Sequence, residues 1–255
     1  MKIIVLCKAV AVGVSDVKIA DDGRSLEYQN QLQAMNESDE YALEEAIALK
    51  REYGGEVVVL SMGSITTQNI LHQALAKGAD KVVRVDAQVQ DSRAAAGVLA
   101  AALKQMEYDL ILTGTQSRDT LSGLSGIVIA ERLGIPFAFA VTQVEVDSNG
   151  SIRIFKELGG GRSAEIALPL PALLCVQTGI QRLNYVPPAR LMRARQQPVR
   201  SFSLDDLEIK ADQIVAKGYR FLDVFPPTRT GQVELLEGTA QEIAKTLFTK
   251  MREVM

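Results

Sequence analysis

The sequence has no tryptophan and a single histidine, His72, so acid–base or triad chemistry built on imidazole has almost nothing to work with. His72 falls in the helical run Asn69 to Lys77 and reads as a helix residue. Cysteine is scarce too. Cys7 and Cys175 sit inside apolar stretches at no metal-ligand spacing, which suits small buried hydrophobes in a reducing compartment, and a cytoplasmic location is expected. No apolar run approaches the ~20 residues that span a bilayer, and Met1 leads within one residue into the strand-like run Ile3 to Leu6, so no targeting peptide is expected. Excess positive charge is missing as well. With 28 Lys and Arg against 31 Asp and Glu the net charge is −3, so nucleic acid binding is not expected, and without a spanning apolar run neither is membrane insertion.

What is present is 255 residues, enough for one good-sized core with a C-terminal extension. The first half alternates short β-branched runs with longer amphipathic ones, the pattern of βαβ units on a parallel sheet. Ile3 to Leu6 reads as a buried strand, followed by a helix opened by Ser38 or Asp39 and ended at Gly54 and Gly55. Strand Val57 to Leu60, a helix from Thr67 to Gly78, and strand Val82 to Val85 follow. Ser92 is expected to cap an Ala-rich helix ending near Met106. Leu110 to Leu112 reads as a strand, and a helix is expected from about Ser122 to Leu133.

Beyond Pro136 the pattern turns to alternation, and Val141 to Val146 with Ile152 to Phe155 reads as a hairpin about an Asn149–Gly150 turn. Leu173 to Val176 reads as a further strand. From Gly179 the composition shifts to Arg, Gln and Pro, which suggests an exposed arm. It ends in a helix for which Thr239 to Glu242 matches a capping box, with Ile243, Leu247 and Met251 on one face. The expected fold is therefore α/β: a doubly wound, mostly parallel, Rossmann-like sheet with a β-hairpin insertion and an extended C-terminal arm.

Ligands of such sheets bind beyond the carboxyl ends of the strands. Three such ends carry suggestive residues: Asn36 to Asp39, Ser61 to Ser64, and Gly114 to Ser125. In the third, glycines let backbone approach a phosphate while hydroxyls and helix N–H groups donate to it, although a plain structural turn explains such a loop equally well. No Walker A loop is present, nor a Gly-x-Gly-x-x-Gly turn after the first strand. The acidic group Glu37, Asp39, Glu40, Glu44 and Glu45 more simply favours a helix N-terminus than a metal, and no metal is expected.

Taken in order, several segments resemble the β (small) subunit of electron transfer flavoproteins: Val5 to Lys8, Met35–Asn36 with Ala42 to Ala46, Ser61 to Gly63, Ala74 to Asp80, Asp109 to Gly114, Leu168–Pro169 with Pro171–Ala172, and Leu191 to Arg195. No single one is specific, but their order and spacing are. The resemblance implies an electron carrier subunit rather than an enzyme, nucleotide-binding over 1–200, with 201–255 an arm and helix packing on its partner. It implies an obligate heterodimer whose larger α subunit holds most of a redox-active FAD, while this subunit binds AMP or, in electron-bifurcating members, a second FAD. Its donor would be a flavin dehydrogenase, its acceptor a quinone oxidoreductase or another protein.

The family's nucleotide contacts map onto Leu6, Asn36, Glu37, Ser38, Asp39, Met62, Gly114, Thr115, Gln116, Ser117, Arg118, Asp119, Ser122, Gly123, Leu124 and Ser125. Leu6 and Met62 would flank an adenine, and Ser122, Gly123 and Ser125 would take the phosphate. Thr115 stands where many members have Lys, Leu121 to Leu124 replaces an Asp-Thr-Gly-Gln-like series, and Ser38–Asp39 replaces a Pro-Phe-like pair. These departures favour AMP over FAD. The variant Gln116 to Asp119 loop is more like flavoproteins serving methylated-amine dehydrogenases. Tyr185 to Pro198 resembles the partner-recognition loop, with Pro188, Leu191 and Met192 as contacts and Pro187–Pro188 where an anchoring Leu is usual. Outside the family, a nucleotide-binding stress or signalling module would also fit the fold. An ATP-pyrophosphate-splitting enzyme is disfavoured, because no Ser-Gly-Gly-x-Asp-Ser-like loop follows the first strand.

Overall fold

The computed structural model describes residues 1–12, 18–21, 23, 26–27, 33–89, 91–147, 150–210, 223–225 and 233–254. Its elements in order are β1 (Lys2–Leu6), β2 (Ala9–Ala11), β3 (Lys18–Ile19), β4 (Leu26–Glu27), β5 (Gln33–Met35), α1 (Glu37–Tyr53), β6 (Glu56–Met62), α2 (Gln68–Lys77), β7 (Lys81–Val85), α3 (Ser92–Lys104), β8 (Leu110–Gly114), α4 (Ser125–Leu133), β9 (Phe137–Val146), β10 (Ile152–Gly159), β11 (Arg162–Leu168), β12 (Ala172–Val176), α5 (Pro188–Ala194), β13 (Arg200–Phe202) and α6 (Ala240–Val254).

Nine strands form the main sheet in the order β11-β10-β9-β12-β8-β1-β6-β7-β13. From β9 to β13 all neighbours are parallel, while β10 and β11 extend the edge antiparallel. The central strands are apolar and β-branched on both faces because both are covered. Ile3, Val5, Val57, Val59 and Leu112 face Leu43 and Ala46 of α1 and Ile70 and Leu71 of α2. The alternate residues Ile4, Leu6, Val58, Leu60 and Ile111 face Val98, Ala102 and Leu103 of α3 and Ile129 of α4. Helices on both faces of a mostly parallel sheet make the doubly wound, Rossmann-like fold expected from the pattern.

The differences have local causes. Helix α4 begins at Ser125, not Ser122, because Leu121 (φ 52°) and Gly123 (φ 60°) turn the backbone left-handed just before it. Asp91, not Ser92, caps α3: its carboxylate accepts the N–H of Arg93 at 2.9 Å. The hairpin gains a third strand, β11, after the run Gly159 to Gly161, all at positive φ. Asn149, half of the anticipated turn, lies outside the described residues. The segment read as an exposed arm holds helix α5 and strand β13, which pairs with β7 and buries Phe202. Weak apolar periodicity hid both, since α5 has only seven residues and β13 only three.

The chain makes two compact units, one of residues 1–18 with 27–220, the other of residues 19–26 with 221–255. Within the second, the Val224 N–H donates to Gly23 O at 2.9 Å. Its helix α6 has the anticipated capping box: the Glu242 carboxylate accepts the Thr239 N–H at 2.8 Å, and the Glu242 N–H donates to Thr239 Oγ1 at 3.4 Å. Leu247, Phe248 and Met251 are exposed along this helix. No described helix is long and apolar enough to cross a membrane.

Candidate functional site

The chain runs outward from β1 through β6 to β7, then returns to place β8 on the other side of β1. The strand order therefore reverses between β1 and β8, and the crevice beyond their carboxyl ends is where ligands bind in this architecture. Three of the predicted site residues, Asn36, Ser38 and Asp39, sit there at the first turn of α1, each nine-tenths or more buried.

Their side chains stitch that turn to the loop after β8. Asp39 accepts the N–H of Lys8 at 2.9 Å and that of Gly114 at 3.0 Å, bridging the two strand ends. Burial pushes its carboxyl up to about 6, against the lowering effect of those donors. Asn36 is at the N-cap but caps nothing with its side chain. Its amide instead donates to Gln116 O at 2.9 Å and to Ser38 Oγ at 3.0 Å, and accepts the Arg118 N–H at 3.0 Å. Ser38 Oγ donates to Gln116 O at 2.6 Å. Gly114 must be glycine for this approach, since a methyl there would lie 2.6 Å from the Ser38 carbonyl carbon. Glu37 is exposed in the same turn, beside the positive end of the helix.

The loop itself is wound tightly. The Leu121 N–H donates to Ser117 O at 2.9 Å, and the Ser117 and Thr120 hydroxyls meet at 2.8 Å. Thr115, Ser117, Gly123 and Ser125 are half-buried, while Gln116, Arg118, Asp119, Ser122 and Leu124 are exposed. Ser122 Oγ pairs with Ser92 Oγ at 2.9 Å instead of opening α4. Lys8, which sequence reasoning missed, reaches in from the end of β1: its ammonium lies 2.8 Å from Asp119 Oδ1 and 3.3 Å from Ser117 Oγ. Burial opposes the Asp119 charge, but the Lys8 and Ser117 hydrogen bonds outweigh it and hold the carboxyl below its ordinary value. The place of Lys8, two residues beyond a buried strand next to the switch point, was the available signal. Leu6 ends β1 and packs into the core, and Met62 ends β6 half-buried.

A second polar cluster lies further along α1. Glu44, almost fully buried, accepts Lys77 Nζ at 2.6 Å, the Asn184 N–H at 3.1 Å and Asn184 Nδ2 at 2.7 Å. Glu40 pairs with the same ammonium at 2.8 Å, and Glu45 accepts Gln181 Nε2 at 2.8 Å. Burial works against the Lys77 charge, yet the two carboxylates outweigh it and raise the ammonium above its ordinary value. These acids are thus committed to the segment that leads into α5, and no metal-holding cluster occurs among the described residues. On α5, Pro188 and Met192 are exposed and Leu191 is half-buried. Arg182, Arg190, Arg193 and Arg195 are exposed around it. Both thiols are buried, and burial pushes Cys175 up to about 12.

The profile of the electron transfer flavoprotein domain family matches residues 25–207, a span that contains the stitched turn, the loop after β8 and the α5 segment. The chain is 31% identical to the electron transfer flavoprotein subunit beta of Methylophilus methylotrophus over 99% of this chain and 98% of that one. It is 31% identical to the subunit of the same name from Clostridium acetobutylicum, over 98% of each. It is 28% identical to the caffeyl-CoA reductase-Etf complex subunit CarD of Acetobacterium woodii, over 99% of this chain and 98% of that one. With relatives matched over 98% or more of each chain and the domain profile matching residues 25–207, the chain belongs to the electron transfer flavoprotein family, among its β subunits.

Proposed function

We propose that this chain is the small subunit of a heterodimeric electron transfer flavoprotein, with a structural AMP in the crevice between β1 and β8. The observation that carries the reading is the side-chain stitching of Asn36, Ser38 and Asp39 to the loop after β8, which builds a fixed crevice at the switch point of a chain of this family. Leu6 and Met62 flank the adenine, and the loop from Gly114 to Ser125 holds ribose and phosphate. The redox-active FAD is mainly on the larger subunit, and it supplies the one-electron and two-electron chemistry when bound. This chain's residues bind, position and exclude water; they make and break no covalent bond.

The α5 segment, held down by Glu44 and Lys77, is the surface offered to a flavin dehydrogenase, with Met192 as its exposed apolar contact. The second unit, with α6, serves assembly with the large subunit. Co-expression with the neighbouring large-subunit gene tests the reading: a yellow one-to-one complex that a dehydrogenase can reduce supports it. A colourless chain that purifies alone and binds ATP favours a signalling module instead.

A further inference from the structure

We propose that Lys8 is the phosphate-reading residue of the switch-point crevice, its ammonium fastening the loop after β8 and donating to the anionic end of the nucleotide. The inference rests on the AMP reading above.

The root of the side chain is fixed from both sides. The Lys8 N–H is held by Asp39 at 2.9 Å, and the Lys8 carbonyl accepts the Asn36 N–H at 2.9 Å. The ammonium carries three donors. One meets Asp119 at 2.8 Å and another Ser117 at a longer 3.3 Å, while the side chain remains 43% exposed. No bond among the described residues engages the third.

Phosphate sites at strand ends commonly use free backbone N–H groups. Here four of them are already engaged: those of Lys8 and Gly114 on Asp39, that of Arg118 on Asn36, and that of Leu121 on Ser117. Asp39 also sets a carboxyl group beneath the crevice, which disfavours an anion unless a cation faces it. With those four engaged and a carboxyl beneath, an anion at this crevice needs a cation fixed at its mouth. Lys8 is that cation, rooted between β1 and β2 by the Asp39 and Asn36 bonds, whereas the Arg118 side chain is on the exposed loop.

The test is calorimetric titration of the two-subunit complex, stripped of AMP, with AMP and with adenosine. The wild type is expected to prefer AMP by about tenfold or more, the size of one charge-assisted hydrogen bond. Lys8→Met should lose that preference while its adenosine affinity stays within about twofold. Lys8→Arg should retain most of it. Asp119→Asn, which releases the ammonium from its present partner, should raise the preference, a second readout should Lys8→Met fold poorly. Equal loss of both ligands in Lys8→Met would make Lys8 a loop fastener only, and no loss would remove it from the site; either overturns the proposal. A wild type that binds neither ligand overturns the nucleotide reading itself, and does so before any variant is made.

Discussion

The Asp39 carboxylate accepts the Gly114 N–H at 3.0 Å, so the first turn of α1 and the end of β8 are joined through one buried side chain. Because burial raises this carboxyl to about 6 from an ordinary 3.8, the folded chain binds its proton more tightly than the unfolded chain does. The stabilisation from that proton is complete below the unfolded value and is lost as pH rises through about 6. The shift corresponds to about 3 kcal/mol. Relative to Asp39→Asn, the wild type should therefore lose up to that amount of stability between pH 4 and pH 7. Chemical denaturation at a series of pH values reads this directly, and parallel profiles for the two proteins would show that Asp39 does not titrate in that window.

Gly114→Ala should separate the same two elements, because the added methyl meets the Ser38 backbone as well as its side chain. A loss of about 1–3 kcal/mol is expected, the usual cost of overpacking, together with weaker nucleotide retention. Thermal melting with and without added AMP separates the two effects.

Lys77 and Glu44 have side chains only 6% and 3% exposed, so removing one partner leaves the other charge buried. Lys77→Met is expected to cost about 3 kcal/mol and to speed hydrogen exchange over residues 181–194. Lys81→Met breaks the exposed pair with Glu56 and should cost less than about 1 kcal/mol. Equal effects from the two variants would mean that the buried pair does not anchor α5.

Truncation after Leu236 removes α6 with its exposed Leu247, Phe248 and Met251. If these side chains bury against the large subunit, the truncated chain should dissociate from it at higher concentration in analytical ultracentrifugation. Unchanged affinity would make α6 a surface appendage.

Much of this structure was legible in the sequence because burial on both faces writes itself as apolar β-branched runs, as in Ile3 to Leu6 and Val57 to Leu60. The crevice was legible from the strand-end rule and from family resemblance. Lys8 was not, because a single lysine after a strand looks like any solvated residue until the loop folds back onto it. Nor was the partnership of Glu44 with Asn184, whose members lie 140 residues apart. The start of α4 was misplaced because helical periodicity cannot register the left-handed turn at Leu121. Helix α5 and strand β13 are too short to leave a period at all.

The most direct test of the central claim is mass spectrometry of the nucleotides released from the purified two-subunit complex. The account predicts one AMP and one FAD per heterodimer. Two FAD and no AMP would contradict the AMP assignment and place a second flavin in the β1–β8 crevice.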